Sequence, residues 1–81
     1  MGKQLDLYYY DACPYCQKVL RAMRRLGIED AITLKNILTN QQYANTLVQV
    51  GGKRQVPCLF IDGQPMYESD DIVAYLAREF A

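Results

Sequence analysis

The sequence predicts an α/β domain of order β-α-β-α-β-β-α, a mixed four-stranded sheet with three helices on its faces. Three observations predict it. Segments rich in β-formers alternate with segments whose apolar residues recur at helical spacing. The first strand, helix and second strand form one β-α-β unit, which implies a parallel pair with a right-handed crossover. Asp62-Gly63, between two short strand-like runs, has the form of a two-residue hairpin turn and adds an antiparallel pair. With 81 residues, the chain is expected to be one domain, 1–81.

Each element follows from its residues. "LDLYYY" (Leu5–Tyr10) is a strand. Pro14 opens the first helix, where its missing N–H costs nothing. Cys16, Val19, Leu20, Met23 and Leu26 then form one apolar face, with Lys18, Arg21 and Arg25 on the other side as a solvated face that can also steer anionic ligands. Gly27 closes this helix. "AITLKNI" (Ala31–Ile37) is the second strand. Thr39 and Gln42 have capping-box spacing, Tyr43, Leu47 and Val50 give an apolar stripe, and Gly51-Gly52 ends the second helix. Val56–Ile61 and Gln64–Tyr67 are the hairpin strands. Ser69 is the predicted cap of the last helix, Asp70 and Asp71 suit its positive end, and Ile72, Val73, Leu76 and Phe80 face inward.

Composition removes several classes of function. Nine basic and nine acidic side chains cancel, which argues against a nucleic-acid binder or a strongly membrane-attracted protein. No apolar run approaches the roughly 20 residues of a membrane span. The start "MGKQLDLYYYD" lacks the apolar core of a secretory signal, and Asp6 stands where a myristoylation signal has Ser or Thr. A cytoplasmic location is expected.

"YYYDACPYCQK" sets Cys13 and Cys16 around Pro14-Tyr15. Cys-x-x-Cys serves metal binding, stapling and redox chemistry alike. Three Cys and no His fall short of the four ligands of a structural zinc site, so no metal is expected. A disulfide between residues three apart closes a tiny loop and adds little stability. Redox chemistry remains, and the placement suits it. At a strand-to-helix turn, free N–H groups stabilise a thiolate. Cys13, nearest those amides and the more exposed, is the expected nucleophile. Cys16, one turn inside and more buried, is the resolving thiol. Cys58, on a strand after Pro57, reads as a small core residue.

"CPYC" at this turn, "KRQVP" before a late strand and "ESDD" opening the last helix together resemble a glutaredoxin, from Leu5 to about Leu76. The resemblance implies a thioredoxin-like fold and a glutathione-dependent disulfide oxidoreductase. Its substrates would be disulfide-containing and glutathionylated proteins, its state a monomer. Cys13 would attack the substrate sulfur and become glutathionylated, and a second glutathione or Cys16 would release it. The resemblance also implies a cis Val56-Pro57 bond and a glutathione site. Arg54 would pair with the glycine carboxylate, and Val56 would bond the ligand backbone as a short strand. Tyr15 and Pro57 would belong to the same site. The Ser69 and Asp70 amides would take the γ-glutamyl carboxylate, and the Asp70 side chain the ammonium.

Three residues depart from the glutaredoxin pattern. Tyr10 stands where many members carry lysine, Gln55 replaces a common threonine, and Glu68-Ser69 resembles the Glu-Ser pair of glutathione transferases. Transferases need a second, helical domain, and this sequence ends at Ala81. An isolated transferase-like module therefore stands as an alternative. So do a redoxin served by thioredoxin reductase and, with less support from "CPYC", a dimer holding a [2Fe–2S] cluster through Cys13 and glutathione.

Overall fold

The structure, a computed structural model, describes residues 3–80. Met1, Gly2 and Ala81, and with them the Met1-Gly2 start weighed as an acylation signal, lie outside the described residues. Leu5–Tyr9 forms β1, Pro14–Leu26 α1, Thr33–Asn36 β2, Gln41–Gly51 α2, Cys58–Ile61 β3, Gln64–Tyr67 β4 and Ser69–Phe80 α3. Every predicted element is present in the predicted order. The sheet runs β2-β1-β3-β4. β1 pairs in parallel with β2 and antiparallel with β3, and β3 pairs antiparallel with β4.

Alternation along the central strands divides the core in two. Leu7 of β1 and Leu59 of β3 point to one face, where Val19 and Met23 of α1 and Ile72 and Leu76 of α3 close over them. All six are at most 1 % exposed; burying each such side chain contributes roughly 1.5–3 kcal/mol. Tyr8, Cys58 and Phe60 point to the opposite face, against Ile37 and against Ala44 and Leu47 of α2. Asp62 and Gly63, at φ 49° and 85°, make the hairpin turn with both central residues left-handed, a conformation that Asp-Gly tolerates. Asp62 also ties the turn to the start of the chain, since its Oδ1 accepts the Gln4 N–H at 2.7 Å.

Boundaries move for local reasons. β1 stops at Tyr9, because the Tyr10 carbonyl turns to accept the Cys13 N–H at 3.3 Å. β2 is shorter than Ala31–Ile37: Ala31 closes a 3-10 turn, Glu29–Ala31, instead of pairing. The cap of α2 is Asn40, whose Oδ1 accepts the Gln42 N–H at 2.9 Å. Thr39, the predicted cap, donates its hydroxyl back to the Asn36 carbonyl. Val50 is 50 % exposed, so the buried stripe of α2 is Ala44 and Leu47. Gly51 is the last residue of that helix, where the Tyr67 hydroxyl fills the space a Cβ would need. β3 begins at Cys58 rather than Val56, after a cis Val56-Pro57 bond. Ser69 is the first residue inside α3 rather than its cap. The Glu68 carbonyl accepts the first helical bond, from Ile72, with Glu68 itself at φ 75°.

Candidate redox site

Cys13 is the N-cap of α1. Its backbone is extended, and its Sγ accepts the Cys16 N–H at 3.3 Å, the position a Ser or Asp oxygen occupies at an ordinary cap. Pro14 follows at the first helical position. The sulfur therefore faces one of the unpaired amides that a helix start leaves over. Cys13 is 5 % exposed and Cys16 0 %. The predicted order of exposure holds, but Cys13 is a buried residue and not an exposed one. The preceding loop is held by the Cys13–Tyr10 bond and by Gln17 Nε2 donating to the Asp11 carbonyl at 2.8 Å.

Both thiols are free. Burial, and then a hydrogen bond to Cys13, push the Cys16 thiol up to about 12. Cys16 thus stays protonated at neutral pH. Cys58 is wholly buried on the α2 face, and burial pushes it up to about 11. It is a core residue, as expected. No group of three or more His, Cys, Asp or Glu that could hold a metal occurs among the described residues.

The remaining predicted residues gather around two adjoining hollows. The first, about 440 Å³, is lined by Tyr15, Gln55, Val56, Pro57, Glu68, Ser69 and Asp70. The second, about 650 Å³, is lined by Tyr10, Ile37, Leu38, Arg54, Gln55 and Val56. Gln55 and Val56 are the wall between them. Arg54 accordingly does not share a hollow with the Ser69-Asp70 helix start. The β1–β3 register, which sets Tyr8 opposite Cys58, brings the segment before β3 next to the segment after β1. Val56 precedes β3, so its backbone lies outside that ladder.

Two features add to the sequence-based expectation. Lys18 is exposed with Arg21 and Arg25, as expected, and its Nζ also bonds Asp70 Oδ1. Helical spacing gives the face of α1 a residue occupies, but not that the start of α3 lies across from it. Ile37 and Leu38 line the second hollow without having been singled out. The available signal was an apolar pair directly after β2, with Leu38 63 % exposed.

The mixed sheet, the three helices and the thiol pair at the turn from β1 to α1 define a thioredoxin-like domain. Within that class, the chain belongs to the glutathione S-transferase N-terminal domain family, which it matches over residues 7–81. It is 29 % identical over 75 residues to a probable glutaredoxin of Synechocystis sp., covering 91 % of this chain and 83 % of that protein. It is 38 % identical over 75 residues to glutaredoxin 2 of Escherichia coli, covering 91 % of this chain and 33 % of that one. A glutathione transferase family member from Pseudomonas fluorescens Pf-5, solved with bound glutathione, superposes with a TM-score of 0.82 at 26 % identity, over 96 % of this chain and 39 % of the other. The chain spans about a third of the length of the Escherichia coli relative. The glutaredoxin resemblance is supported by these relatives, inside a family named for transferases.

Proposed function

We propose that the protein is a glutathione-dependent thiol–disulfide oxidoreductase acting on protein disulfides and on protein–glutathione mixed disulfides. The observation that carries this reading is the Cys13 sulfur held as the cap of α1 on the Cys16 amide. In the first step the Cys13 thiolate attacks one sulfur of the substrate disulfide. A Cys13–substrate disulfide forms, and the other sulfur leaves as a thiolate that takes a proton. Glutathione then attacks the mixed disulfide, or Cys16 does so after losing its proton and closes a Cys13–Cys16 disulfide. Two glutathiones reduce that disulfide and leave as oxidised glutathione.

In this reading glutathione lies across both hollows. Arg54 takes its glycine carboxylate, and the Val56 backbone bonds its peptide groups as an added strand. Tyr15 and Pro57 supply walls. The amides of Ser69 and Asp70 meet the γ-glutamyl carboxylate at the start of α3, and the Asp70 side chain faces the ammonium. A cytoplasmic monomer acting on glutathionylated proteins completes the proposal.

The test is turnover of a glutathionylated peptide coupled to glutathione reductase. Wild type and Cys16→Ser should turn over, Cys13→Ser should not, and Cys16→Ser should lose most reduction of protein disulfides. Equal loss in both single variants would overturn the assignment of the two thiols. A second reading, an isolated transferase-like module, draws on the family match and on Glu68-Ser69 at the first hollow. Conjugation of glutathione to an aryl halide outpacing disulfide exchange would put that reading first. Turnover with thioredoxin reductase but not with glutathione would favour a redoxin.

A further inference from the structure

The first hollow poses an electrostatic problem. Its walls carry two carboxylates, Glu68 and Asp70, and no cationic side chain. Against them stands the start of α3, with free amides worth about half a positive charge. A ligand carboxylate entering this space meets more negative than positive charge.

Lys18 changes that balance. Its Nζ bonds Asp70 Oδ1, and it lies three residues after Tyr15, on the same side of α1. Tyr15 is itself a wall of the hollow, so the Lys18 ammonium stands at the rim. Both partners are open to solvent, their side chains 46 % and 79 % exposed, and an exposed pair separates at little cost. Ser69 is only 8 % exposed and lines the same space. Its hydroxyl, bonded to no other described group, is not sealed off from that space.

We propose that Lys18 is a specificity residue of this site: with Asp70 it reads the zwitterionic head of an α-amino acid, Lys18 taking the carboxylate and Asp70 the ammonium. The inference rests on the glutathione reading above, where that head is the γ-glutamyl end. An ion pair presents opposite charges side by side, and an amino-acid head presents the same two in reverse. Inserting the head between the partners replaces one contact with two. The carboxylate then lies between the Lys18 ammonium and the α3 amides, with the Ser69 hydroxyl as a further donor.

The experiment is an NMR titration of reduced protein, following backbone amides, with three probes. They are glutathione, glutaryl-cysteinylglycine (carboxylate without ammonium) and 4-aminobutanoyl-cysteinylglycine (ammonium without carboxylate). Lys18→Met should weaken binding of glutathione and of the carboxylate-only probe by about threefold or more. It should leave the ammonium-only probe as tight as before or tighter. Lys18→Arg, which keeps the cation, should retain glutathione binding. Glutathione binding to Lys18→Met as tightly as to wild type, or more tightly, overturns the proposal, because the lysine then only occupies Asp70. Wild type binding none of the probes overturns the glutathione reading itself, and this inference with it.

Discussion

The sulfur of Cys13 caps a helix as well as sitting where a nucleophile is wanted, and the two roles separate on substitution. Cys13→Ala removes the acceptor of the Cys16 N–H, whereas Cys13→Ser replaces it with the oxygen that helix caps favour. Losing a Ser, Thr, Asp or Asn cap to alanine typically costs about 1 kcal/mol, within a range of about 0.5–2. Sulfur is the weaker acceptor, and the contact is 3.3 Å, so the low half of that range applies, about 0.5–1 kcal/mol. For a domain this small, 1 kcal/mol moves Tm by roughly 4–8 °C. Cys13→Ala should therefore melt about 2–8 °C below wild type, and Cys13→Ser at or above it. The assay is thermal unfolding followed by circular dichroism, under reducing conditions so that no disulfide contributes. Both variants should be inactive on glutathione mixed disulfides, so activity alone cannot separate them. If the two melt together, the side chain at position 13 does not cap the helix.

Arg54→Ala should lower glutathione-dependent turnover about tenfold, the worth of one charge-assisted contact of roughly 1–2 kcal/mol. Arg54 is exposed, so Tm should hold within about ±0.5 kcal/mol of stability; normal turnover would place the site elsewhere. Tyr10→Lys, which adds a cation to the same hollow, should soften the Arg54 defect. Alkaline pH should destabilise the fold. Burial raises Cys16 to about 12 and Cys58 to about 11, from an ordinary 9.0, so above about pH 9 the folded chain keeps protons that the unfolded chain releases. Their contribution is fully present below that pH and is lost as pH rises toward 11–12. Melting curves from pH 7 to 11 should be flat and then fall, less steeply in Cys58→Ala; a fall already complete by pH 8 would contradict this cause.

Local pattern carried most of the fold, because the helical spacing of apolar residues in α1 and α3 and the runs of β-formers in β1 and β3 are strong local signals. Asp62-Gly63 and Pro14 were legible for the same reason: each encodes a backbone geometry by itself. The misplaced boundaries share another cause. Thr39 and Asn40 are both good caps, and only tertiary placement decides between them. Ser69 lost its predicted cap position to Glu68, a residue whose left-handed backbone no local preference announces. In the site, Cys13, Cys16, Pro57 and Ser69 stood in recognisable motifs. The Lys18–Asp70 pair and the wall made by Ile37 and Leu38 did not, since both depend on which elements face each other across space.

The pairing of Tyr8 with Cys58 also bears on when this chain becomes competent. Cys13 and Cys16 belong to the first quarter of the sequence, while β3, the antiparallel partner of β1, begins only at Cys58. No fragment ending before β3 contains the whole lining of the first hollow, which includes Glu68, Ser69 and Asp70. Closing that long loop is an entropic cost met before any contact across it repays it. A chain growing from its N-terminus therefore carries both cysteines for most of its synthesis before β3 can pair with β1.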